Sequence, residues 1–137
     1  MTEANAEVDE VADPLSDVEE LLFRQVPPAW VDDCEPTSQA FRPTKKDEGQ
    51  LSVSLGSLTS AEQAYVHHTT VLQRHSAGSW GISVGEVVAA NLMAFPDEVD
   101  ESPAHGYVDF SGLSKGDCEK RSKLLLARAR ARGRLHP

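Results

Sequence analysis

The chain has 137 residues, with 13 Lys and Arg against 22 Asp and Glu and a formal net charge of −9. That length carries one domain whose core can stand without cross-links, and its two cysteines, Cys34 and Cys118, lack both CxxC and Cys/His zinc spacing. No apolar stretch approaches the roughly 20 residues that cross a bilayer, and acids stand where a signal peptide would carry bases. Membrane insertion and secretion are therefore not expected, and reduced thiols in a cytoplasmic protein are.

The charge is unevenly spread. Glu3, Glu7, Asp9, Glu10, Asp13, Asp17, Glu19 and Glu20 face no base within the first 20 residues, whereas Lys115 to Arg134 is strongly basic. Residues 1–17 have no aromatic and little apolar area to offset the entropy of ordering, so a disordered acidic tail is expected there. A short turn can follow Pro14, where Ser16 and Glu19 have capping-box spacing. Residues 18–137 are expected to form a single α+β domain with a basic C-terminal helix.

In chain order, Glu20 to Val26 reads as a strand or helical entry that Pro27 and Pro28 stop, because neither offers an N–H. Ala29 to Val31 begins a helical turn or an extended stretch. Thr37 to Arg42 reads as a short strand, Pro43 to Gln50 as a polar loop, and Leu51 to Leu55 as a strand by alternation of Leu51, Val53 and Leu55 with Ser52 and Ser54. Thr59 or Ser60 caps a helix expected to end near Gly78. Trp80 to Ala90 reads as one strand bent at Gly85, and Pro96 to Pro103 as an acidic loop. Tyr107 to Phe110 is a strand, and Ser114 or Asp117 starts a helix that Gly133 closes after Arg132. The outline is a small mixed or antiparallel sheet packed against two helices.

Polar residues inside apolar surroundings mark Leu22 to Val53 as the place to look for a site. Arg24 and Gln25 interrupt Leu21, Leu22, Phe23 and Val26, and Arg42 follows Phe41. A guanidinium carried into such surroundings needs a counter-charge, which Asp47, Glu48, Glu86 or a bound anion would supply. The candidate binding residues are Arg24, Gln25, Ser38, Arg42, Lys45, Asp47, Glu48 and Glu86.

The string Leu22 to Gln25, followed by Ser38 to Glu48 (SQAFRPTKKDE), LSV at Leu51 to Val53 and the Ser60 to Glu62 step, resembles a family of small bacterial proteins without an assigned activity. The family pattern is L-F/Y-R-Q, SQAFRPT-x-KDE, LSV and SAE, and here Lys46 is an extra base. The resemblance spans about Leu22 to Asp109. It implies a bacterial, cytosolic, single-domain protein and no reaction.

Other chemistry is thinly supported. His67 and His68 point about 100° apart on a helix, and His75 and His105 fall in loops, so no metal is expected. Cys34 lies among Asp32, Asp33 and Glu35, whose charges disfavour thiolate. Arg24, Ser38 and Glu86 are similar in kind to the arginine, serine and glutamate of ADP-ribosyltransferase-like folds, without their spacing. Arg128, Arg130, Arg132 and Arg134 invite nucleic acid, but aromatics that would stack bases are missing and a basic last turn also complements the helix dipole. The favoured reading is a small accessory or regulatory module acting through a protein partner, with no cofactor. The alternative is an anion- or nucleotide-binding domain or enzyme built on Arg24, Arg42 and the Lys45 to Glu48 loop.

Overall fold

The computed structural model of the chain describes residues 13–44 and 48–137. Five strands build the main sheet: β1 (Leu21–Gln25), β4 (Gln50–Leu55), β5 (Ser79–Ser83), β6 (Met93–Pro96) and β7 (His105–Asp109). Their order across the sheet is β5-β1-β4-β7-β6, with every neighbour antiparallel. A small hairpin pairs β2 (Val31–Asp32) with β3 (Glu35–Pro36). Its turn residues Asp33 and Cys34 both have positive φ, the geometry whose twist matches that of the strands it joins. The helices are α1 (Ala61–Val66), α2 (Val84–Ala89) and α3 (Lys115–Arg132), giving an α+β domain. Among the described residues, no helix is long and apolar enough to cross a membrane.

One face of the sheet carries the core. Leu22, Val26, Leu51, Val53, Leu55, Trp80, Ile82, Ala94 and Val108 cluster there with Ala40 and Phe41 from a 3-10 turn at Ser38–Phe41. Helix α3 closes this face because Ser122, Leu125, Leu126 and Ala129 recur at three- and four-residue spacing and are buried together. Its Ser114 cap accepts from the Asp117 N–H at 3.1 Å, and Gly133 at φ 87° ends it. Between these limits the helix agrees with the sequence reading.

Several elements differ from expectation. Thr37 to Arg42 forms the 3-10 turn rather than a strand, which drives Phe41 into the core while Arg42 points outward. The Trp80 to Ala90 stretch is strand β5 and then helix α2, switched by a capping box in which Ser83 Oγ accepts from the Glu86 N–H and Glu86 Oε1 accepts from the Ser83 N–H. Asn91, at φ 64°, takes the left-handed position that ends α2, and the Leu92 N–H returns to the Val87 carbonyl. Strand β6, not anticipated, begins directly after.

Helix α1 stops early. His67–Val71 widens into a π turn in which the Leu72 N–H reaches the His67 carbonyl. The Thr69 and Thr70 hydroxyls bond back to the Tyr65 and Val66 carbonyls, competing with the helical ladder where β-branched residues crowd it. Gln73, at φ 55°, then turns the chain away.

Residues 1–12 of the expected acidic tail lie outside the described residues. Leu15, expected in that tail, instead packs against the core and its N–H donates to the Ala94 carbonyl of edge strand β6 at 2.8 Å. The other edge, β5, is covered by the C-terminal segment, with Ser79 bridging His136. Both sheet edges thus carry backbone partners that limit strand addition.

Candidate functional site

The residues expected to form one anion site fall in separate places. Arg24 shares a β1 face with Leu22 and Val26, and its guanidinium donates to the Ala40 carbonyl at 2.8 Å and the Ser52 carbonyl at 3.0 Å. It ties the 3-10 turn to β4 beyond the short stretch where β1 and β4 pair. Arg42 pairs with Glu119 of α3 at 3.4 Å on the surface. Gln25 is buried: its Nε2 donates to Ser79 Oγ at 2.6 Å and its Oε1 accepts from Ser76 Oγ, while Ser79 Oγ donates to the Ala61 carbonyl. That chain of bonds fastens α1 to β1 and β5 on the face opposite the core. Ser38 opens the 3-10 turn, and Glu48 is an exposed turn residue at φ 55°. Lys45 and Asp47 lie outside the described residues.

Glu86 is partnered neither by Arg24 nor by Arg42. Its carboxylate takes a two-bond clamp from Arg132, at 2.9 Å and 3.0 Å, while serving the α2 capping box. Burial pushes this carboxyl up, but the Arg132 and Ser83 hydrogen bonds outweigh it and hold it below the ordinary 4.5. The expected Arg24, Ser38 and Glu86 trio is therefore not assembled.

The C-terminal arginines are largely engaged within the fold. Arg130 reaches Glu35 at 3.2 Å and the Pro36 carbonyl, Arg132 holds Glu86 and the Gly81 carbonyl, and Arg134 lies 6.0 Å over the Trp80 ring. They dock α3 and the chain end onto β5 and the β2–β3 hairpin. Arg128 is exposed.

A different surface has the geometry of a contact site. Alternation turns Gln50, Ser52 and Ser54 of β4, His105, Tyr107 and Asp109 of β7, and Met93 and Phe95 of β6 to the face away from the core. Register sets them in rows: Gln50, Asp109 and Met93; then Ser52, Tyr107 and Phe95; then Ser54 and His105. Helix α1 packs against β1 and β5, leaving this half of the sheet open among the described residues. Phe95 and Tyr107 stack with ring centres 5.5 Å apart, and Met93 is 56% exposed beside them. At one end His67 Nε2 lies 2.6 Å from the Glu101 carbonyl, joining the π turn to the acidic loop.

His105 is the first residue of β7, not a loop residue as expected, and it occupies the middle of a polar chain. Its Nδ1 faces Asp97, 3.2 Å from Oδ2 and 3.0 Å from the carbonyl, and its Nε2 lies 3.2 Å from Ser52 Oγ. Acid, imidazole and hydroxyl in that order have the connectivity of a nucleophilic relay. The chain of bonds also ties the acidic loop to β4 and β7.

Burial pushes the Tyr107 phenol up, and the Asp109 and Asp97 carboxylates push it further. The open face is thus apolar and aromatic at its centre and negative at both ends. Elsewhere, a shallow cleft of ≈ 290 Å³ is lined by residues including Tyr65, Arg74, His75 and Ser76, and contains none of the expected site residues. Beside it, burial and the Arg74 charge hold His68 below its ordinary 6.5. Among the described residues, no three His, Cys, Asp or Glu side chains converge as a metal site. The chain matches no protein-family model, no curated protein and no solved structure.

Sequence reasoning passed over Phe95, Tyr107, Met93 and His105 as a group. Their common signal was the polar side of the β4 alternation, since whatever pairs with Ser52 and Ser54 must share their outward face.

Proposed function

We propose that this chain is a small protein-contact module, an accessory or regulatory component that receives a partner on the open half of its sheet. The observation that carries the reading is the Phe95–Tyr107 stack with exposed Met93 at its side, on a sheet face that no described helix covers. Aromatic side chains and Met are the residue types enriched where protein surfaces meet, and they bring contact area at low entropy cost. Arg24, Arg42 and Glu86 each have separate partners within the chain, which favours this reading over an anion site shared by the three. A bacterial cytoplasmic setting belongs to the same proposal, supported by the family resemblance and by free Cys34 and Cys118.

The test is a peptide-library selection on the full chain with parallel selection on a Phe95→Ser/Tyr107→Ser variant whose fold is verified by circular dichroism. Sequences enriched only on the native surface are expected. Binders that recognise both proteins equally, or no binders at all, would overturn the reading.

A further inference from the structure

Resting on that reading, we infer that the open half-sheet takes an extended cationic peptide segment, with an apolar residue over the Phe95–Tyr107 stack and a Lys or Arg on either side of it. Among the described residues, the segments that build this surface, 50–58 and 93–114, contain no Lys or Arg, and the second carries Asp97, Glu98, Asp100, Glu101 and Asp109. Two of these carboxylates bracket the aromatic centre. Asp109 stands in the Met93 row, and Asp97 stands beside His105, at the other end of β7. The Asp97 side chain is 44% exposed, so a ligand cation can reach it while His105 remains its neighbour. Arg24, the base that reaches β4, directs its guanidinium to the Ala40 and Ser52 carbonyls.

The spacing sets the ligand pattern. From His105 to Asp109 is four residue steps, about 13 Å at strand rise. An extended segment turns every second side chain to the same side, so two bases four residues apart with an apolar residue midway match Asp97, the stack and Asp109. The same charge argues against nucleic acid on this surface. Stacked aromatics alone would suit bases, but a phosphate backbone would meet carboxylates in place of the cations it needs.

The experiment is fluorescence anisotropy on the full chain with a labelled heptapeptide TKTLTKT, its acidic counterpart TETLTET, a neutral TSTLTST and a dT12 oligonucleotide. Binding of the basic peptide alone is expected, weakening with added salt. It should fall about tenfold in the Asp97→Asn/Asp109→Asn variant, since both peptide bases then lose their counter-charge. The amide Oδ1 that replaces the Asp109 carboxylate can still accept from the Ser111 N–H, the contact of the Asp97 backbone carbonyl with His105 is untouched by the substitution, and circular dichroism verifies that the variant is folded. Unchanged affinity in that variant would place the cation on other acids, such as those before residue 12, and overturn the inference. Equal or tighter binding of the acidic or neutral peptide, or of dT12, would also overturn it. Native-only binders without bases from the library selection would sink this inference while leaving the contact-module reading intact. No native-only binder from that selection would end both.

Discussion

The core face of the sheet and the open half of its reverse are built on the same strands and treat charge in opposite ways. On the core face, among the described residues, three charged groups near the buried cluster are answered from within the chain: Arg24 by two carbonyls, Glu86 by Arg132, and Arg134 by the Trp80 ring. On the reverse of β4, β7 and β6, Asp97 and Asp109 flank an aromatic pair with no Lys or Arg in the strands and loop that build it. Satisfied charge surrounding apolar burial stabilises a fold. Carboxylates with no Lys or Arg beside them, around a half-buried aromatic pair and an exposed Met93, offer a surface to another molecule.

The contrast can be broken most forcefully at Trp80. It is 2% exposed within the main cluster, so Trp80→Ala should cost about 3–5 kcal/mol in denaturant unfolding. A cost below about 1 kcal/mol would show that this face is not the principal source of stability.

The Glu86–Arg132 clamp comes next. Glu86→Gln keeps the capping geometry and loses the charge, and should destabilise by about 1.5–3 kcal/mol at neutral pH. The folded carboxyl lies below its unfolded value of 4.5, so its contribution is complete above that pH and disappears as pH falls through the folded value. The native protein should therefore lose stability on acidification over that window, and the variant should lose less. His68, held below 6.5, has the same sign at a higher window, with stability lost as pH falls below that value. Parallel pH profiles for native protein and Glu86→Gln would contradict the assignment.

Arg42 gives the smallest effect. Its pair with Glu119 is about a third exposed on each side, so Arg42→Ala should stay within about 1 kcal/mol of the native protein. Arg24→Ala should exceed it, since two carbonyls lose a charged donor. If thermal unfolding ranks the two in the other order, the distinction between internal and surface arginines fails.

How much of this was legible in the sequence depends on the range over which each signal acts. The fold class and β4 follow from local alternation and helical spacing, while for β1, the α1 cap and the α3 start the structure selects one of the alternatives the sequence offered (strand, Ser60 and Ser114), and β7 begins two residues earlier than expected. The α2 helix was also locally encoded. Ser83 followed three residues later by Glu86 is a capping box, but Val84, Val87 and Val88 favoured a strand reading, and the cap outweighed β-propensity. The π turn was foreshadowed by the His-His-Thr-Thr-Val run, whose hydroxyls bond backward.

The site was much less legible, because it depends on pairing across the sheet. Arg24 and Arg42 lie on either side of one buried Phe-containing turn, yet only the fold shows that one turns inward and the other reaches α3. Arg132 was read with the basic stripe, although its partner lies 46 residues away. Phe95, Tyr107 and Ser52 become neighbours only when β6, β7 and β4 take their register.

The central claim is that the open half-sheet is the contact surface, and amide chemical-shift mapping of the isotope-labelled chain with a library-selected peptide tests it most directly. The largest shifts are expected along Gln50–Leu55, Met93–Pro96 and His105–Asp109, with α3 and the β2–β3 hairpin unmoved. Shifts centred on α3 or on the cleft beside Arg74 and His75, with those three strands silent, would contradict it.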